Sequence, residues 1–235
     1  MHISSVQSRV SNPSHLLQEG NPREEYHTLL GQELHQLTSA VDLPQFIVIR
    51  GDVNIHTSNL EAFTLLRSKD VTIEGSLKCY QMPLIELPDY LTVEGDVNFS
   101  SCKALSVLPK RLTVKGSLNL YDCKHITQLS ENLSVERDCN LSHCESLTTL
   151  STEVKVGGYF NISYCKNLIE LPENLSVEKD FNVSYCNSLT ALPQMPYVRG
   201  RFNFSSCQHL PQPTVGIKIE GKPLAFSGCN FHYNA

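Results

Sequence analysis

The chain has 235 residues, 40% of them hydrophobic, a formal net charge of −5 and no long run of either charge. Binding to a phosphate backbone needs clustered Lys and Arg, so nucleic acid is excluded as an expected partner. No apolar run approaches the roughly 18 residues of a membrane-spanning helix, and nine cysteines, an odd count, read as reduced thiols rather than a disulfide framework.

Residues 1–20 are polar and rich in Ser, Gln and Asn. They lack the apolar stretch of a Sec signal peptide, and read as a disordered leader. Residues 21–44 read as an N-terminal cap. Asn21-Pro22-Arg23-Glu24-Glu25 offers a capping residue, proline at the first helical position and acids in the first turn. Tyr26, Leu30, Leu34 and Leu37 then mark one face of a helix predicted over 22–39.

From residue 45 to 230 the chain repeats itself. Val93, Val114, Val135, Val156, Val177, Val198 and Ile219 stand 21 residues apart. Ile73 lies 20 residues before the first of these, and Ile49 a further 24 before that. Self-similarity at this period predicts a solenoid, here of about nine rungs. Each unit reads V-x-G-x-Φ-N-Φ-S-x-C-x-x-L-x-x-L-P-x-x-L, with Φ apolar. The alternation from Val to the second Φ predicts a strand with one buried face. The glycine column (Gly95, Gly116, Gly158, Gly200, Gly221), broken by Arg137 and Lys179, predicts a bend or a close backbone approach between two short strands. The L-P-x-x-L return should be extended or polyproline-like, with no room for a helix. Gly228-Cys229-Asn230-Phe231-His232-Tyr233 departs from the pattern and should close the stack, leaving 231–235 as a tail.

The string Φ-x-Φ-x-x-C-x-x-L-x-x-L-P-x-x-L resembles a leucine-rich repeat with Cys in the Asn/Cys slot. Its short L-P-x-x-L return is similar to that of the bacterial type III effector class, the YopM and IpaH proteins. The repeat here carries an extra segment of the Thr113-Val114-Lys115-Gly116 type before the strand. The resemblance implies a leucine-rich-repeat solenoid of parallel stacked strands with a helical N-terminal cap. It also implies a protein delivered by a non-Sec route into a host cytoplasm; without delivery, the compartment would be the bacterial cytoplasm.

Two columns are nearly constant. Asn98, Asn119, Asn140, Asn161, Asn182 and Asn203 fall between inward apolar residues, so they should point outward. They read either as a structural amide ladder along the array or as a polar binding stripe. The N-x-S sequons that many of them form read as a by-product of the repeat. Cys102, Cys123, Cys144, Cys165, Cys186 and Cys207 read as small buried hydrophobes. No C-x-x-C pair occurs, and Cys139 should face the core while nearby His143 faces solvent, so no metal and no cofactor is expected. Disulfides between stacked rungs would exceed the preferred Cβ separation.

No G-x-S-x-G, H-E-x-x-H or phosphate-loop string is present, nor the C-x-D that the resemblance to IpaH ligases would require. Variation is confined to outward columns. One reads Asp96, Ser117, Asp138, Tyr159, Asp180, Arg201; another reads Ser101, Asp122, His143, Tyr164, Tyr185, Ser206. Tyr159, Tyr164, Tyr185, His143, Arg201 and Asp180 therefore form a candidate partner patch, Tyr and Arg being enriched at interface hot spots; ordinary surface variation is the alternative. The expectation is a non-enzymatic protein-binding module. The rivals are the substrate-recognition part of an effector ubiquitin ligase lacking its catalytic domain, and an intracellular bacterial scaffold.

Overall fold

A computed structural model describes residues 26–210 apart from 32–33, 35–36, 38–42, 57–59, 80–86 and 194–195. Each repeat folds as one coil with two strands. The longer strands are Tyr26–Leu30, Phe46–Arg50, Asp70–Ile73, Tyr90–Val93, Arg111–Val114, Asn132–Val135, Glu153–Val156, Asn174–Val177 and Tyr197–Val198. They form a nine-stranded sheet. The two-residue strands Val53–Asn54, Leu77–Lys78, Val97–Asn98, Leu118–Asn119, Cys139–Asn140, Phe160–Asn161, Phe181–Asn182 and Phe202–Asn203 form an eight-stranded one. All pairings are parallel and join neighbouring coils, so the described residues form a parallel β-solenoid with about seven turns at near 21-residue spacing after the irregular coil of Phe46–Arg50; of the nine rungs expected, the one at Ile219 lies outside them.

The register follows the sequence period. Val93 pairs with Val114, Val114 with Val135, Val135 with Val156, Val156 with Val177 and Val177 with Val198. The valines make one continuous buried row, none more than 2% exposed. β-Branched side chains suit this position, because they pack on a pleated surface at little conformational cost. A second row lies beneath the short strands, where Phe160, Phe181 and Phe202 stack with ring centroids 5.0 and 4.9 Å apart. The returns carry no regular structure and send Leu108, Pro109, Leu129, Leu171 and Pro193 inward. Among the described residues no helix is long and apolar enough to cross a membrane.

Two expectations are corrected. Tyr26–Leu30, read as part of a helix over 22–39, is a strand paired with Phe46–Arg50. Helix propensity is a weak prior, and the open edge of a sheet offers five registered partners that an isolated helix would not have. Leu34 is nonetheless fully buried against the core. Second, the repeat region does contain a helix, the single turn Leu60–Thr64. It sits in the 24-residue interval between Ile49 and Ile73, where the extra length is taken up, and Phe63 and Leu66 bury completely there. The leader, the Ile219 rung, the closing segment and the tail 231–235 lie outside the described residues.

Candidate interaction face

The short-strand face begins at the bend. There the chain alternates: Asp52, Asp96, Asp138 and Asp180 occupy every second coil, and Ser76, Ser117, Tyr159 and Arg201 the coils between. In each case the aspartate Oδ1 accepts the backbone N–H of the residue stacked on it. The distances are 2.7 Å for Ser76 and 2.8 Å for Ser117, Tyr159 and Arg201. Asp180, expected in the partner patch, is thus an inter-coil fastener. The same contact explains part of the glycine column. A Cβ on Gly116, Gly158 or Gly200 would lie 2.3, 2.1 and 2.3 Å from the carboxylate of Asp96, Asp138 and Asp180. Arg137 and Lys179 break the column above Ser117 and Tyr159, where no carboxylate intrudes.

Two residues on, the asparagines do not bind along the array as an amide ladder would. Each Oδ1 stays within its own coil and accepts the N–H two residues ahead: Ser100, Tyr121, Ser142, Ser163, Ser184 and Ser205, at 3.0–3.1 Å. This is an Asx turn. It swings the chain into the left-handed region at the following residue, with φ of 58–63° at Ser101, Asp122, His143, Tyr164, Tyr185 and Ser206. The cysteine comes next and is fully buried. Its thiol donates to the carbonyl one coil back: Cys102 to Cys79, Cys123 to Phe99, Cys144 to Leu120, Cys165 to Leu141, Cys186 to Ile162 and Cys207 to Val183, at 3.0–3.2 Å. Leu120 O also takes the amide of Cys123 from its own coil, so both of its lone pairs are used. Burial pushes the Cys123 thiol up to about 12 and raises those of Cys139, Cys144, Cys165 and Cys186 well above the ordinary range. A thiol held protonated is neither a nucleophile nor a metal ligand. Among the described residues no group of three or more His, Cys, Asp or Glu side chains gathers as a metal site.

The predicted patch divides in two. His143, Tyr164 and Tyr185 come together on the turn edge. Their rings stack in parallel, 4.5 Å apart for His143 and Tyr164 (8°) and 4.5 Å for Tyr164 and Tyr185 (7°). Tyr159, Asp180 and Arg201 lie at the other end of the short strand. Tyr159 is 50% exposed, with Lys179 Nζ 4.9 Å from its ring centroid. Two members were missed from sequence. Tyr121 meets the His143 ring edge-on at 5.4 Å, extending the ladder to a fourth coil; its signal is a tyrosine in a column otherwise made of serine. Lys179 signals itself by breaking the glycine column. Compared with known proteins, the chain matches no family model, no curated protein and no solved structure.

Proposed function

We propose that this chain is a non-enzymatic protein-binding solenoid whose contact surface runs from Tyr159, Lys179 and Arg201 across the asparagine stripe to the ring ladder. One observation carries the reading. His143, Tyr164 and Tyr185 occupy left-handed backbone positions that cost an ordinary L-residue roughly 1–2 kcal/mol, and that Ser101 and Ser206 fill in other coils. Bulky rings there do nothing for the core, yet they align on three successive coils. The left-handed turn is common to all six coils, so what sets these three apart is their rings, and aromatic side chains aligned on an outward position favour a role in contact. The likeness of the repeat to the leucine-rich repeats of the YopM and IpaH effectors, together with the polar leader 1–20, supports a type III secreted effector meeting a host protein.

Two measurements test this. Affinity capture from host lysate would compare the wild-type chain with a Tyr159→Ala/Tyr164→Ser/Tyr185→Ser variant. The partner should be lost from the variant, and unchanged capture would remove the patch. Residues 1–25 fused to a reporter should be exported through a type III apparatus, and absence of export would remove the effector assignment while leaving the binding face.

A further inference from the structure

The ring ladder and the charges beside it share one centre. Tyr121, His143, Tyr164 and Tyr185 belong to four successive coils, so the midpoint lies between the coils of His143 and Tyr164. Two residues beyond the left-handed position runs a second column, Lys103, Lys124, Glu145, Lys166, Asn187, Gln208, exposed at its lysines and Gln208 and half-buried at Glu145 and Asn187. It lies on the same edge, since Lys124 reaches Asp122 at 3.6 Å, and Glu145 sits between Lys124 at 3.8 Å and Lys166 at 3.5 Å.

A two-fold axis through the ladder midpoint would oppose Glu145 to Lys166 twice, Lys124 to Asn187, and Lys103 to Gln208. No like charges meet. Shifting the axis to the Glu145 coil sets glutamate against glutamate, and to the Lys166 coil lysine against lysine. Moving it between the Asp122 and His143 coils sets Lys103 against Lys166. An axis between the Lys166 and Asn187 coils, or on the Asn187 coil, also avoids like charges but opposes no unlike ones; the ladder midpoint is the register that does both, and it also pairs every ring, Tyr121 with Tyr185 and His143 with Tyr164. An isologous pairing needs such a self-complementary patch.

We infer that the turn edge docks a second copy of this chain, antiparallel, with its axis between the coils of His143 and Tyr164. The inference rests on reading the ladder as a contact surface, and it leaves the Tyr159 end of the face for another protein. Tyr121 and Tyr185, at the two ends, are 42% and 44% exposed, so the pairing would cover aromatic surface now facing water.

Sedimentation equilibrium of the full chain tests it. The wild type should show a monomer–dimer equilibrium. Glu145→Lys or Lys166→Glu alone turns two attractions into two repulsions and should weaken the dimer about tenfold, more so at low salt. The combined Glu145→Lys/Lys166→Glu chain should recover it. Tyr164→Ser/Tyr185→Ser should abolish it without loss of fold, serine being native at this position in two coils. A chain that stays monomeric at millimolar concentration overturns the inference. So does a dimer indifferent to these changes, or a double charge exchange that fails to restore it. Partner capture that depends on Tyr159 but not on the dimer leaves the binding face standing alone.

Discussion

Gly116→Ala measures how the coils are fastened. A Cβ there would sit 2.3 Å from Asp96 Oδ1 and 2.5 Å from the carbonyl carbon and oxygen of Gly95, against 3.4 Å for ordinary contact. Something must move by about 1 Å, and overpacking of this kind costs about 1–3 kcal/mol. The chain contains its own control. Arg137 bears a side chain at the same position, above Ser117, and its N–H reaches Gly116 O at 3.3 Å, whereas Gly116 N–H reaches Gly95 O at 3.0 Å. The coils part slightly where Arg137 carries its side chain, whereas Gly95, also above a serine, keeps its N–H 3.0 Å from Gly75 O. Asp96→Ser alone should cost about 1 kcal/mol, since a hydroxyl can still accept the Ser117 amide as Ser76 Oγ accepts that of Asp96 at 3.2 Å. The double variant recreates the Ser117–Arg137 arrangement, so its loss should fall short of the sum by at least ~1 kcal/mol. Urea unfolding of the four proteins, followed by circular dichroism, gives the coupling. Additivity within about 0.5 kcal/mol would refute the reasoning and leave backbone crowding alone as the reason for glycine.

Other consequences follow from the same rows. Unfolded cysteine releases its proton near pH 9 while buried Cys123 holds on to about 12, so the unfolded state is the one favoured as pH rises through that window. Each raised thiol should remove up to about 1.4 kcal/mol per pH unit above pH 9, giving alkaline unfolding whose slope shrinks in Cys144→Ala and Cys165→Ala chains; a slope unchanged by both would contradict it. Asn161→Ala strands the Ser163 N–H and should cost about 1 kcal/mol, whereas Asn161→Asp, which keeps the acceptor, should cost little. Equal losses in thermal melts would exclude the Asx turn as the cause. Phe181→Ala opens a gap between two stacked rings and should cost about 3–5 kcal/mol by denaturant titration; a loss below 1 kcal/mol would mean that the phenylalanine row is not part of the core.

The buried rows were legible because a solenoid writes its core in period. Val93 through Val198 announce a column, and alternation about it separates inside from outside with no knowledge of the third dimension. What the asparagines do was not legible, because a residue flanked by buried positions points outward whether it binds along the stack or turns back on its own chain. The left-handed residue escaped for a related reason: glycine would have advertised it, but here it is Ser, Asp, His or Tyr. The N-terminal segment misled because its cap signals are local, while the strand Tyr26–Leu30 is selected by Phe46–Arg50, a sequence-distant partner.

The alternation of aspartate adds a constraint that a single-coil repeat does not contain. Residues in one column sit about 4.8 Å apart. Carboxylates on successive coils would repel by roughly 3.5 kcal/mol at an effective dielectric of about 20, and skipping a coil halves this. Asp96, Asp138 and Asp180 also occupy the space of a Cβ on the coil above, at Gly116, Gly158 and Gly200. A coil carrying aspartate therefore demands a neighbour that has glycine at the bend and no acid beside it. Two aspartate coils therefore do not adjoin, and from Asp52 to Arg201 coils of the two kinds follow one another, a pattern that repeats at twice the 21-residue spacing. The coils without aspartate are then the ones free to carry Tyr159 and Arg201, so this column displays its variable side chains on every second turn, with Lys179 entering from the coil between. A partner reading that face meets them about 9.6 Å apart, a spacing set by how the coils are fastened.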